Sequence, residues 1–192
     1  FSSTVVFQAS NQIGSTANVT LNGGGTLNLN SYNQALAGLT FNNTGGNTPQ
    51  LLVGAGTLTL TGGINATSSN PGSVSTISTG IITGSRTSGS NVVTLPSTVG
   101  LTVGTVVTGS GITANTTITA ILSSTQIQLS NNATSTVTNS LTFANSGAVN
   151  LPAGTTAVNV APVLFNGVDL SPLIPTLNIN ATLAGSGASI NK

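Results

Sequence analysis

The sequence contains almost no ionisable side chains. Among its 192 residues, two are Lys or Arg, one is Asp or Glu, and none is His. The charged residues are Arg86, Asp169 and Lys192. Acid–base catalysis by paired carboxylates needs two acids, and a serine nucleophile needs a base to activate it. We therefore expect no catalytic residue, no enzymatic activity and no bound cofactor.

Cysteine is also absent, which limits both cross-links and metal sites. Without cysteine there is no disulfide framework and no thiolate ligand. Asp169 closes the segment Asn166-Gly167-Val168-Asp169, where it could offer one carboxylate to a cation. One carboxylate rarely holds a hard cation alone, so we favour a turn in which Asp169 accepts a hydrogen bond from nearby backbone, and no metal site.

The net charge of +1 narrows the range of partners. Nucleic-acid affinity comes mainly from clustered Lys and Arg, so we expect no nucleic-acid partner.

A membrane-spanning helix needs about 20 apolar residues. The longest apolar run, Val160 to Phe165, is short and contains Pro162, so we expect no membrane insertion. Low charge also removes the repulsion that keeps soluble proteins apart, which favours self-association.

What the sequence does contain is a repeated alternation of apolar and polar residues. Between residues 14 and 60, apolar side chains recur at every second position in the pairs Val19 and Leu21, Leu27 and Leu29, Leu39 and Phe41, and Leu58 and Leu60. This period is typical of strands with one buried face, and turns rich in Gly or Asn separate the runs. The tetrads GTLN at 25–28 and GTLT at 56–59 are near copies. Repeated short strands predict an all-β protein, most simply a β-solenoid or parallel β-helix-like stack.

The pattern changes near Gly84 and returns later in the chain. Residues 84–140 contain short strands between turns rich in Gly, Ser and Asn, and Leu141-Thr142-Phe143 then echoes Leu39-Thr40-Phe41. We interpret the interruption as an inserted small β-barrel or sandwich module. The predicted divisions are residues 1–83 as solenoid repeats, 84–142 as the inserted module, and 143–192 as a return to the solenoid pattern. Three prolines, at positions 162, 172 and 175, argue against a central strand across that late segment.

The two ends of the predicted stack are its candidate assembly surfaces. The first strand, residues 1–8, can either cap its own stack or add to the open edge of a neighbour. The last residues are repeat-like and include no charged cap before Lys192. The residues predicted to make assembly contacts are Phe1, Val5, Phe7, Leu183 and Ile190. We expect a homo-oligomer or homopolymer joined by strand addition or by stacking.

The sequence also predicts the exposure of two single polar residues. We expect Arg86 to be a solvated loop residue at the module boundary and Tyr32 to be an exposed turn residue. Stacked strands in register would also allow asparagine ladders. The asparagines available for such ladders are Asn28, Asn30, Asn42, Asn43 and Asn65.

Two segments carry a resemblance to known families. Ala17-Asn18-Val19-Thr20-Leu21, with GTLNL at 25–29 and LTF at 39–41, resembles the autotransporter-associated β-strand repeat of bacterial surface proteins. Residues 93–104 and 111–118 are similar to a β-module inside large repetitive bacterial surface and phage-fibre proteins. The resemblance implies a parallel β-helix that is extracellular, on the bacterial cell surface. The leading hypothesis is a non-catalytic structural subunit of a surface filament or layer. The alternative is a monomeric passenger or adhesin that binds surface glycans.

Overall fold

The described part of the chain is built from β-strands and turns. The structure, a computed structural model, describes residues 3–44, 48–98, 101–144, 146–154, 156–171 and 173–191. Thr, Val, Ile, Asn and Gly are abundant, whereas Glu and Met are absent, and this composition disfavours helices. The predicted all-β class is confirmed.

The strands are short and follow one another closely. The first nine are β1 (Thr4–Val6), β2 (Asn18–Asn22), β3 (Thr26–Asn28), β4 (Gln34–Leu36), β5 (Gly38–Asn43), β6 (Gln50–Gly54), β7 (Thr57–Leu60), β8 (Ile64–Ser68) and β9 (Ser75–Thr79). The next six are β10 (Ile81–Arg86), β11 (Val92–Thr94), β12 (Val107–Thr108), β13 (Ile118–Ile121), β14 (Gln126–Leu129) and β15 (Val137–Phe143). The last six are β16 (Ala148–Asn150), β17 (Thr156–Phe165), β18 (Val168–Asp169), β19 (Leu177–Asn180), β20 (Thr182–Ala184) and β21 (Ser189–Asn191).

Three sheets are built mainly from parallel neighbours. The first sheet contains β2, β5, β8, β17 and β21, together with β18, which pairs antiparallel with the end of β17. The second sheet contains β1, β3, β6, β9 and β19, and the third contains β4, β7, β16 and β20. The chain enters the first, second and third sheets in that order and then repeats the order. We call each such triple of strands a pass. The passes are β2-β3-β4, β5-β6-β7, β8-β9-β16 and β17-β19-β20.

In-register pairing stacks the inward side chains of successive passes on top of one another. In the second sheet, Val5 pairs with Leu27, Leu27 with Leu51, Leu51 with Ile77, and Ile77 with Ile179. We call this row the second-sheet column. Leu27, Leu51 and Ile77 in its middle are each at most 2 % exposed. Because alternate residues of a strand face the same side, the period-two pattern of the sequence becomes a continuous apolar interior.

A separate antiparallel sheet occupies one corner of the third pass. Its strands pair in the order β12-β15-β10-β11-β14-β13 and enclose a second hydrophobic core, which contains Val93, Leu141 and Phe143. The chain leaves β9 at Gly80, whose N–H donates to the Gly54 carbonyl at 2.6 Å, and the Phe143 N–H donates to the Gly80 carbonyl at 2.6 Å. The chain therefore enters and leaves this sheet at neighbouring points. The domain limits at 83/84 and 142/143 stay predictions.

The sequence echo at Leu141-Thr142-Phe143 does not mark a new parallel strand. These residues lie in β15, where Thr142 pairs antiparallel with Ile81 and Leu141 with Ile82. The parallel sheets resume at β16, beginning at Ala148. The alternation encodes which face of a strand is buried, and antiparallel and parallel strands share that period.

The prediction that the late prolines exclude a strand from this segment was wrong for Pro162. Strand β17 runs through this residue from Thr156 to Phe165. Its pairing with β8 shifts register between Val160 and Val163, so the proline sits where the ladder is already irregular. Proline is tolerated at such irregularities because no ladder hydrogen bond is lost there. Pro175 lies outside any strand, and residue 172 lies outside the described residues.

Candidate functional site

The amino-terminal face of the parallel sheets leaves an apolar residue uncovered. Val5 belongs to the second-sheet column, yet it is 57 % exposed, and its neighbour Val6 is 44 % exposed. Strand β1 pairs with β3 along one edge, and no other described strand pairs with its second edge. Val5 is thus an inward residue with nothing stacked over it.

Phe7, also predicted to make assembly contacts, is buried, unlike Val5. Phe7 is 2 % exposed and belongs to the first hydrophobic core, where its N–H donates to the Asn28 carbonyl at 2.9 Å. Val5 and Phe7 therefore do not form one exposed surface, although they share a parity. Phe7 lies one residue past the end of β1 and is buried, whereas Val5 within β1 is exposed. Phe1 lies outside the described residues.

Gln34 covers part of the amino-terminal face. Its buried position was not predicted from the sequence. It pairs with Leu58 in the third sheet, in a row that continues through Val149, yet it is polar and only 2 % exposed. Its side-chain amide accepts a hydrogen bond from the Ile13 N–H at 3.2 Å and donates to the Ile13 carbonyl at 2.8 Å. A polar residue at an inward position of the repeat was the available signal, because buried polar groups need partners.

On the carboxyl-terminal face, the last apolar residues of the rows in the second and third sheets are only half-buried. Ile179 ends the second-sheet column and Leu183 pairs with Val149 in the third sheet, and both are half-buried rather than buried. Ile190 pairs with Val158 in the first sheet. Strand β19 pairs with β9, and its other edge has no partner strand among the described residues. Two of the predicted residues, Leu183 and Ile190, therefore lie on one face of the stack.

A cavity opens beside this face. It has a volume of about 570 Å³, and Val160, Leu177 and Ile179 form part of its apolar wall. Asp169 also lines the cavity and is the only acid in the sequence. The segment between β17 and β19 covers one side of the cavity. That segment begins with a two-residue turn, Asn166-Gly167, in which both residues have positive φ.

The Asp169 side chain makes the predicted turn. Its Oδ1 accepts hydrogen bonds from the Ser171 N–H at 2.8 Å and from the Ser171 hydroxyl at 2.6 Å. These hydrogen bonds stabilise the charged carboxylate and hold its pKa below the usual value. The described residues contain no group of three or more His, Cys, Asp or Glu that could bind a metal ion.

We expect stability to be independent of pH across the neutral range. A folded pKa below the unfolded value means that the Asp169 contribution is present above the unfolded pKa. It is lost as the pH falls through the lower folded value. No side-chain type in the sequence has an ordinary pKa between about 5 and 9. The thermal midpoint should therefore change by less than about 2 °C over that range.

Circular dichroism melts at several pH values test this expectation. The control is Asp169→Asn, which should flatten the remaining pH dependence below about pH 4. A stability transition centred between pH 5 and pH 9 would contradict the expectation.

Arg86 is not the solvated loop residue that the sequence predicted. It lies in β10, is 4 % exposed, and its Nη2 donates to the Asn139 side-chain oxygen at 2.7 Å and to the Ser110 carbonyl. Burial lowers the pKa of this guanidinium. Its position follows from strand parity, because Ile82, Gly84 and Arg86 share the buried face of β10. Arg86 thus fastens a loop to the antiparallel sheet.

The remaining polar predictions have mixed outcomes. Tyr32 is half-buried against the first hydrophobic core rather than exposed. Asn42 donates from its side chain to the Asn22 side chain of the preceding pass at 2.8 Å, which is one step of the expected ladder. Three other candidates bond elsewhere: the Asn28 side-chain oxygen accepts from the Asn30 N–H, the Asn30 side chain donates to the Phe7 carbonyl, and the Asn43 side chain donates to the Ser73 carbonyl.

Comparison with protein-family models, with curated proteins and with solved structures yields no significant match. No helix in the described part of the chain is long and apolar enough to cross a membrane. The resemblance to the autotransporter-associated repeat therefore stays a prediction.

Proposed function

We propose that this chain is a β-solenoid and a non-catalytic structural subunit of an extracellular filament or layer on the bacterial cell surface. Copies join through the two ends of the solenoid. The observation that carries the proposal is the pair of uncovered faces, where inward apolar residues and strand edges have no partner among the described residues.

The solenoid assignment is supported by the repeated sheet order and by the pairing register. Successive partners in the second-sheet column, Leu27, Leu51 and Ile77, are 24 and 26 residues apart. Solenoid repeats have lengths of about 20–45 residues, and each repeat contacts mainly its neighbours. Terminal repeats of such proteins usually need a polar cap, because the end of the apolar interior is otherwise open to water.

The composition of the free strand edges favours association between copies of the chain over an isolated monomer. Natural β-proteins protect free strand edges with Lys, Pro, bulges or inward-pointing charges. Strands β1 and β19 contain neither a charged residue nor a proline. Association would satisfy their free backbone groups and cover Val5 and Ile179 together.

We expect a charge at the amino-terminal face to block assembly. Val5→Glu places a carboxylate in the second-sheet column, where a stacked neighbour would bury it without a partner. Thr4→Glu is the matched control, because Thr4 is the adjacent residue on β1 and faces outward. Wild-type protein and Thr4→Glu should form filaments or sheets by electron microscopy, and Val5→Glu should sediment as a monomer at the same concentration.

Both variants should keep the wild-type circular dichroism spectrum, because Val5 is already more than half exposed in the single chain. Deleting residues 1–8 is a less selective test, since it would also remove Phe7 from the core. Wild-type protein that stays monomeric at high concentration would contradict the proposal. Binding of that monomer on a glycan array would instead favour the adhesin hypothesis.

A further inference from the structure

We propose that the contact between copies is head-to-tail, with β1 of one copy added in parallel to β19 of the next, so that Val5 lies opposite Ile179. This inference rests on the proposed function and names the partner surface and register within it. The occupant of the carboxyl-terminal face is thus the amino-terminal face of a second copy.

The proposed contact continues the parallel pairing that already exists inside the chain. Every neighbour in the second sheet is parallel, and its inward column ends at Val5 on one face and at Ile179 on the other. Placing Val5 over Ile179 extends that column by the same step that joins Leu27 to Leu51. The added contact therefore reuses an interface that the molecule already makes between passes.

The two faces of the stack end in different sheets. On the carboxyl-terminal face, β21 lies over β17 in the first sheet, while no described strand lies above β19 in the second sheet or above β20 in the third. On the amino-terminal face, β1 lies one level before the first complete pass, in the second sheet. A second copy therefore continues the order from β21 in the first sheet to β1 in the second sheet. In the third sheet the junction has no described strand at this level; residues 11–13 lie there beside β4, where the Asn11 N–H donates to the Asn33 carbonyl at 2.9 Å and the Ile13 N–H donates to the Gln34 side chain at 3.2 Å.

The two faces also differ in shape: one carries a cavity and the other an uncovered apolar side chain. The cavity of about 570 Å³ lies at the carboxyl-terminal face beside Ile179 and Leu177. Val5 presents an uncovered apolar side chain at the opposite face. A symmetric contact between two amino-terminal faces would place two β1 strands antiparallel and leave this cavity unfilled. Head-to-tail contacts whose rotation does not close a ring generate filaments.

Cysteine cross-linking tests the register in a chain that has no cysteine of its own. With Val5 opposite Ile179, Thr4 lies opposite Asn178, and neighbouring strands are about 4.8 Å apart, within reach of a disulfide. The test protein is the double variant Thr4→Cys with Asn178→Cys in the full chain. Under mild oxidation we expect a ladder of covalent dimers, trimers and longer species on a non-reducing gel.

The single variants and a second pair serve as controls. Thr4→Cys alone and Asn178→Cys alone should stay uncross-linked, whereas a dimer from Thr4→Cys alone would indicate two amino-terminal faces in contact and overturn the inference. Val6→Cys with Asn180→Cys, in the same register, should also give a ladder. The reduced double variants must assemble as the wild type does, as shown by electron microscopy.

The failures of the two proposals are distinguishable. Filaments from reduced protein without a covalent ladder from either pair would overturn the head-to-tail register and leave the structural-subunit proposal standing. Wild-type protein that is monomeric at every concentration would overturn both.

Discussion

Replacing Phe41 by alanine is expected to lower the free energy of unfolding by about 3–5 kcal/mol, the usual cost of removing a buried phenylalanine side chain. Phe41 is fully buried and stacks between Leu21 of the pass before and Ala66 of the pass after. Ala66 is too small to fill the space that the ring leaves, so the cavity should persist. Urea unfolding followed by circular dichroism measures the change as a lower transition midpoint.

The matched control for Phe41 is its neighbour on the same strand. Thr40→Ala changes an outward residue of β5 that is only half-buried, so its effect should stay within about 1 kcal/mol. A loss below about 1 kcal/mol for Phe41→Ala would show that the interior of the passes is not closely packed. Equal losses for both variants would mean that the assigned faces of β5 are wrong.

Replacing Gly147 by alanine is expected to cost about 2–5 kcal/mol, from backbone strain together with overpacking. Gly147 has a φ of 75° and precedes β16, where the chain rejoins the parallel sheets after the antiparallel sheet. A Cβ at this position would clash with the carbonyl oxygen of Gly54. The clash involves backbone, so a side-chain rotation cannot relieve it.

Two other glycines separate the strain from the clash. Gly154 has a φ of 70° with nothing within 4 Å of an added Cβ, so Gly154→Ala should cost only about 1–2 kcal/mol of left-handed backbone strain. Gly14 has neither a positive φ nor a close neighbour, and Gly14→Ala should change stability by less than about 0.5 kcal/mol. Similar losses for Gly147→Ala and Gly154→Ala would contradict the close approach of the second and third passes at this corner.

Some of the candidate site was predictable because it depends on strand parity. Leu27, Leu51 and Ile77 alternate with polar residues, and their burial follows from that local pattern. The predicted hydrogen bond from nearby backbone to Asp169 is present, because its donor, the Ser171 N–H, is only two residues away, although Asp169 itself lies at the end of β18. Such features need only nearby sequence.

Other features were missed because their partners are distant in sequence. The buried Gln34 side chain is satisfied by the backbone of Ile13, 21 positions away, and the buried Arg86 side chain by Asn139, 53 positions away. Strand parity can place both residues on a buried face, but no local signal names the partners that make their burial possible. The assignment of Leu141-Thr142-Phe143 failed for the same reason, since one alternating pattern serves parallel and antiparallel pairing alike.

The sequence by itself determined that the chain is all-β, which side chains of most strands face inward, and that its surface carries almost no charge. Those properties follow from residue type and from a period of two, both of which are local. Only the tertiary structure decided which strands are neighbours and that the antiparallel strands lie at one corner of the third pass. It also decided that the stack begins with β1 in the second sheet and ends with β21 in the first sheet. These depend on contacts between residues far apart in the chain, which no local pattern specifies.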